Sequence, residues 1–271
     1  MKLSRHTINV LKACSSLSNH IFIGKGDSFI TAHDYMSQGQ LDPSTHLYAK
    51  IPETFPEVVR LYEATTFLNT LALYDDPELD FSKPNYLTLR EGADSFEFNL
   101  MAANAVRSTS DNWQALHTFP SLLEFTLTQK DFKKIGRLSS LHDLDLFSLV
   151  SVGGRFFLYV SQQQEKGHVE SNFSPYDLVK YGPEKMDWGS FHTLELGGSC
   201  EHELVVTISI KTLLQLTPCY DYTVSVVADE IQEVTGLNPP IPPYFKFKAA
   251  VEDNVSLDYV VAADREKSIV I

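Results

Sequence analysis

Twice along this chain the hydrophobic periodicity runs in the same order, helix, strands, helix, strands, and that order limits the folds open to it. Residues 4–18 predict the first helix, with Ser4 as N-cap. Arg5, Asn9, Lys12 and Ser16 make its polar stripe; Leu3, Val10, Cys14 and Leu17 lie opposite, with Leu11 on the flank. Short β-type runs follow at 20–24, 28–32, 45–50 and 57–61. A second helix is expected over 62–74, burying Ala64, Phe67, Leu68 and Leu71 beneath an uncharged side of Thr66, Asn69 and Thr70. Asp75-Asp76-Pro77 stops it, and strands at 86–90 and 95–101 close the first half.

Residues 102–121 have no clear period and set Trp113, Leu116 and Phe119 among Ser, Thr, Asp, Asn and Pro, which reads as a connector. The order then repeats. A strand at 122–127 leads into a helix at 128–141, then strands at 145–151 and 155–161 joined by a Gly153-Gly154 hairpin turn. Residues 162–203 are long and polar, with a strand only at 191–196. After a strand at 204–208, residues 209–217 predict a fourth helix that buries Ile210, Leu213 and Leu214, carries Lys211 and Gln215 elsewhere, and ends at Pro218. Strands at 220–228, 244–251 and 255–263 follow, with a proline-rich turn at 238–243 and a tail at 264–271. The halves share an order of elements, not a sequence. The expected division is a domain at 1–110, a connector at 111–121 and a second domain at 122–271.

Charge sets the third helix apart. Lys130, Lys133, Lys134 and Arg137 fall at i, i+3, i+4 and i+7, one narrow stripe, while Phe132, Ile135 and Leu138 fall on another. Asp131, its only acid, lies near the start, where the helix dipole favours it. A charge run on a helix is ordinarily a solvated face. Yet the four helices hold seven bases (Arg5, Lys12, Lys130, Lys133, Lys134, Arg137, Lys211) against Glu63 and Asp131, a balance of +5. The whole chain is at −13, so everything else carries −18. Solvation alone gives no reason for such sorting. Lysines at helical spacing, without interleaved aromatics, suit contact with a phosphate backbone rather than readout of bases. Such binding is sequence-independent, salt-sensitive and weak, so it needs another device to hold its duplex.

Composition narrows the remaining classes. The 17 Phe and 12 Tyr lean toward β structure. Three cysteines, none in a CxxC pair, fit a reducing compartment, and Cys14 reads as a small core residue. The start of the chain is too polar for a signal peptide and no run approaches 18 apolar residues, so a soluble protein without a membrane partner is expected. The acidic balance argues against indiscriminate nucleic-acid binding. The nine histidines form no HxxxH pair; Cys200-Glu201-His202, near His192, lacks a CxxC or a fourth close metal ligand. Gly24-Lys25-Gly26 has no P-loop context, and there is no GxSxG. No enzyme activity, metal or cofactor is expected.

Several stretches resemble the DNA polymerase sliding clamps of T-even-type bacteriophages. They are Met1-Lys2-Leu3-Ser4 with Thr7 and Leu11-Lys12, residues 19–23 with Phe29-Ile30, and the Phe67-Leu68…Leu71…Leu73…Asp75-Asp76 helix. The strand and basic helix after the connector, residues 205–216 with Pro218 and Tyr220, and Tyr259-Val260-Val261-Ala262 also match. The likeness covers roughly half the chain, at 1–33, 57–76, 122–160 and 204–228; residues 162–203 and 229–243 run longer than in those clamps, and 34–47 align poorly.

The resemblance implies an α+β chain with the DNA-clamp fold, in which two similar domains each pack two helices on antiparallel sheets. Three copies would form a pseudo-sixfold ring, as in proliferating cell nuclear antigen (PCNA), with helices lining the hole. The implied function is a processivity factor that encircles duplex DNA and tethers the replicative polymerase; some phage relatives also co-activate transcription. Arg5, Lys12, Lys130, Lys133, Lys134, Arg137 and Lys211 would face DNA. The C-terminal peptide of the polymerase would enter an apolar pocket drawn from Trp113, Leu116, Phe119, Pro242, Tyr259 and Val260. The resemblance further implies an ATP-dependent clamp loader as partner and the cytoplasm of an infected host cell as the place of action. The competing reading is a non-enzymatic, β-rich phage interaction or virion-associated protein whose basic helix is merely solvated.

Overall fold

Ser4, in extended conformation, takes the N–H of Thr7 on its side chain and so starts helix α1 (Arg5–Leu17), whose Val10, Leu11, Ala13, Cys14 and Leu17 are buried. The computed structural model describes residues 1–26, 29–33, 45–101, 121–162, 179, 191–196, 202–217, 219–227, 243–252, 255–264 and 268–270. The chain divides into two units, Met1–His117 with Lys248–Tyr259, and Thr118–Phe247 with Val260–Ile271.

In the first unit α1 packs on β2 (Phe29–His33), on β3 (Thr45–Lys50) and on α2 (Ala64–Leu71). With β1 (Ile21–Ile23) and β4 (Val59–Leu61) these strands run in the order β4-β1-β2-β3, all antiparallel, in registers such as Ile21 opposite Leu61 and Thr31 opposite Tyr48. β1, β3 and β4 alternate buried and half-buried residues, the signature of a sheet with one face on the core. A three-stranded sheet follows: β5 (Glu78–Asp80), β6 (Tyr86–Glu91) and β7 (Asp94–Asn99), with Lys2 bridged to Glu78 at its far edge. Phe98 of β7 meets Phe67 of α2 edge-on at 5.3 Å. β5 is absent from the sequence reading. Only Leu79 in it is buried, and its pairing is decided by β6 and by Lys2, 76 residues upstream of Glu78.

In the second unit β8 (Leu123–Leu127) leads into α3 (Gln129–His142), then β9 (Leu146–Val152) and β10 (Arg155–Ser161). Gly153 and Gly154 turn that hairpin at φ 60° and 77°, left-handed values that glycine adopts without strain. β11 (Phe191–Leu196), β12 (Leu204–Ser209) and β16 (Ile269–Val270) complete an antiparallel sheet in the order β11-β10-β9-β12-β16. β16 corrects the expectation of a free tail: Val270 and Ile269 pair with Leu204 and Val205. Unlike the first unit's strands, β9 is buried at six consecutive positions. One side of this sheet packs Val150, Tyr159 and Val205 with Val179, so a second apolar cluster covers the face that is half-buried in the first unit.

The predicted fourth helix is a single turn, α4 (Ile210–Leu213). Beyond it Gln215 and Leu216 donate to the carbonyls of Thr212 and Leu213, three residues back, so the chain tightens and Leu216 turns into the core. β13 (Tyr222–Val227), β14 (Tyr244–Glu252) and β15 (Val255–Ala262) follow. Within the first unit the strand order is β4-β1-β2-β3-β15, residues 248–259 of β14 and β15 belonging to that unit, and within the second β14, β13 and β8 are neighbours in turn. Among the described residues, each unit sets helices, α1 and α2 or α3 and α4, against antiparallel sheets, the kind of architecture expected.

Candidate nucleic-acid interface

The basic helix is firmly anchored. Thr128 and Asp131 form a reciprocal capping box at the start of α3, and Asp221, 92 residues away, accepts the Gln129 N–H at 2.7 Å. Both carboxylates meet the positive end of the helix dipole. Gln129 also donates through Nε2 to the Cys219 carbonyl at 2.7 Å. Phe132 and Ile135 are buried, Phe132 against Tyr222 at 5.4 Å between ring centres, and the Tyr222 hydroxyl donates to the Thr217 carbonyl. At the other end Asp143 takes a left-handed conformation (φ 52°) and the Ser139 hydroxyl donates to the Leu144 carbonyl. With those residues fixed, Lys130, Lys133, Lys134 and Arg137 project away from the core, and all four are exposed.

Gly136 faces the end of α4. A Cβ placed there would meet a Leu214 methyl at 3.4 Å. Lys211 of α4 is exposed as well, so the second unit presents five bases from two helices packed together. The first unit presents two, Arg5 and Lys12, both exposed on α1. Its start is held by Glu53, whose carboxylate accepts the Ser4 N–H and the Thr7 hydroxyl. Burial pushes the Glu53 carboxyl up, but the hydrogen bonds from Thr7 and Ser4 outweigh it and hold the group below its usual range. α2 carries no base; Asn19 caps it, accepting the Ala64 and Thr65 N–H groups at 3.0 Å on its backbone and side-chain oxygens.

Several cations outside the helices are ion-paired. Among the described residues Lys2 pairs with Asp76 and Glu78, Lys25 with Glu57, Lys83 with Glu97 and Arg90 with Asp80, none of them within a helix. No described carboxylate forms an ion pair with Arg5, Lys12, Lys130, Lys133, Lys134, Arg137 or Lys211. Lys133 has only the Gln129 side-chain oxygen, at 3.1 Å, one turn back. A helix face of unpaired cations on a chain of net −13 is an anion-binding surface in waiting.

The apolar pocket residues fare differently. Trp113, Leu116, Phe119 and Pro242 lie outside the described residues, as do Cys200, Glu201 and the connector from 102 to 120. Tyr259 and Val260 are described and are core residues, 1% and 3% exposed, so a bound peptide would find them as backing rather than as contact surface. Cys14 is fully buried, which raises its thiol pKa far above the usual value; Cys219 is exposed. No group of three or more metal-ligating side chains occurs among the described residues. No described helix is long and apolar enough to cross a membrane. The sequence reading missed Asp221 and Glu53, the two carboxylates that fix the helix starts. Neither shows any local signal, because each acts at long range.

No family model matches the chain. The sliding clamp of Vibrio phage KVP40 is 24% identical over 173 residues, 64% of this chain and 75% of that protein. Among solved structures, PCNA of A. fulgidus, seen with the C-terminal region of FEN-1 bound, superposes with a TM-score of 0.58 at 12% identity and 97% coverage of both chains. PCNA of Entamoeba histolytica gives 0.58 at 14% identity, again over 97% of each. The H. pylori beta clamp gives 0.59 at 12% identity, over 95% of this chain and 63% of that one. The chain thus has the fold seen in PCNA and the beta clamp, and over 173 residues its sequence is similar to a phage sliding clamp.

Proposed function

We propose that this protein is a DNA polymerase processivity factor, a non-enzymatic scaffold that encircles duplex DNA without reading its sequence and tethers a replicative polymerase. One observation carries the reading: in a clamp fold, all seven bases of the helices are exposed and none forms an ion pair with a described carboxylate. A few phosphate contacts per chain hold DNA weakly and break easily in salt. A closed ring turns that weakness to use, because it stays on the duplex by topology and slides by exchanging contacts.

The ring would be a homotrimer. Among the described residues β7 ends one sheet and β11 ends another, while the corresponding hairpin strand β15 has β3 beside it. Phe96 of β7, 46% exposed, is what an edge awaiting a neighbour presents. Head-to-tail pairing of β7 with β11 of the next copy repeats around a closed ring and leaves neither edge open. The domains would be 1–110 and 122–271, with 111–121 between them. A C-terminal polymerase peptide would bind near that connector, over Trp113, Leu116, Phe119 and Pro242, with Tyr259 and Val260 behind. An ATP-dependent loader would open the ring, in the cytoplasm of an infected cell.

Mass in solution, measured alongside polymerase run length on primed DNA, tests this. A trimer that lengthens the runs supports it. A stable monomer without effect on run length overturns it.

A further inference from the structure

One strand of the second unit lacks the protection that the sheet edges have. Among the described residues β4, β5, β7, β8 and β11 each pair with a strand on one side only. All five carry charge: Arg60, Glu78 with Asp80, Asp94 with Glu97, Glu124 and Glu195. Charge at an open edge discourages a second chain from adding to it. β12 carries none. Its residues, Leu204-Val205-Val206-Thr207-Ile208-Ser209, favour strand, include no proline or glycine, and are buried from Leu204 to Ile208. β9 covers one side of β12, and without β16 the other side would be the open edge of the sheet.

Residues 264–270 close that side. The Thr207 N–H donates to the Ser268 hydroxyl oxygen at 3.0 Å, and the Asp264 N–H donates to the Thr207 carbonyl at 2.8 Å. Backbone groups repeat their direction every second residue, so Val205 points its own N–H and C=O the same way, at Ile269, its partner in the register. β16 is only two residues long and follows Arg265-Glu266-Lys267 in sequence, so the edge put in place of β12 is short and follows a charged run. We propose that residues 264–270 act as a guard strand that keeps a second copy of this chain from pairing along β12. The same sheet ends on its other side in β11, which the ring reading gives to β7 of the next copy. On that reading the guard decides which edge recruits a neighbour: with β11 open and β12 shut, copies add head to tail and close rather than branch. This last step rests on the ring reading; the guard itself does not.

The test compares Ile269→Pro, Ser268→Ala and Ile269→Val in the full chain by sedimentation velocity over a range of concentrations, with hydrogen exchange read over 204–208. Proline removes the N–H that Ile269 directs at the Val205 carbonyl. Ile269→Pro is expected to open the 204–208 amides to exchange in dilute solution. On concentration it should raise the weight-average mass about twofold or more, with protection returning as the larger species form. Ser268→Ala, which loses only the bond from Thr207, should move both readouts the same way and less. It carries the test if the proline variant fails to fold. Ile269→Val should match the unaltered protein. The proposal is overturned if 204–208 opens without any gain in mass, and equally if protection there never changes. Should the unaltered protein sediment as a monomer, the ring fails but the guard does not, because the guard is read from the difference between variants.

Discussion

The two units solve one architectural problem with different charge. In the first, α1 offers Arg5 and Lys12 while α2 is neutral, and every described ion pair sits on the strands and loops around them. In the second, α3 and α4 offer five unpaired bases from one packed pair of helices. The sheets differ in parallel: alternating burial in β1, β3 and β4, but six buried residues in a row in β9, with Val179 over Val150, Tyr159 and Val205. A shared fold therefore fixes where helices lie, not how much charge each carries. A ring of such chains would grip DNA at alternating strong and weak stations rather than evenly.

That contrast can be broken most directly on α3. Lys133→Glu, Lys134→Glu and Arg137→Glu together should lower the salt slope of duplex binding by about 2–3 units and sharply shorten polymerase runs, while sedimentation still reports an unchanged oligomer. Loss of the oligomer instead would put this helix at a subunit interface. Arg5→Gln with Lys12→Gln should lower the slope by only about 1–2 units. An effect as large as that of α3 would erase the difference between the units.

Stability measurements sharpen the comparison further. Thr128→Ala removes one half of the α3 capping box and should cost about 1 kcal/mol in urea unfolding, with duplex affinity falling as the stripe loosens. Glu53→Gln should cost about the same at neutral pH, by weakening the grip on α1. Because the Glu53 carboxyl is held below its usual range in the folded protein, its contribution is complete above the unfolded value. It is lost as pH falls through the lowered folded one, so the stability gap between Glu53→Gln and the unaltered protein should close in acid. Smallest of all, Gly136→Ala should stabilise the second unit by about 0.5 kcal/mol. The gain in helix propensity meets only an ordinary contact with Leu214.

What was legible in the sequence was whatever is settled within a few residues. α3 could be read because Thr128 and Asp131 cap it locally and Phe132 and Ile135 repeat at helical spacing. β3, β10 and β11 appear where their alternating or apolar runs predict them. The exposure of all seven bases also follows from local pattern. α4 could not be read to its true length, because Ile210, Leu213 and Leu214 satisfy a helical period while backbone hydrogen bonds three residues back end the helix after one turn. β5 and β16 are too short to carry a pattern and exist through distant partners, β6 with Lys2 and β12. The same distance hid the Asp221 and Glu53 anchors.

The division of the β14–β15 hairpin has a consequence for synthesis. Residues 248–259 count with the first unit, and β15 follows β3 in the strand order. The first unit thus emerges from the ribosome lacking one of its own strands and must wait, with β3 uncovered, until residues 248–259 have been translated. Nascent chains stalled before residue 244 would carry an unsealed β3 edge, a template for mispairing between neighbouring copies on one polysome.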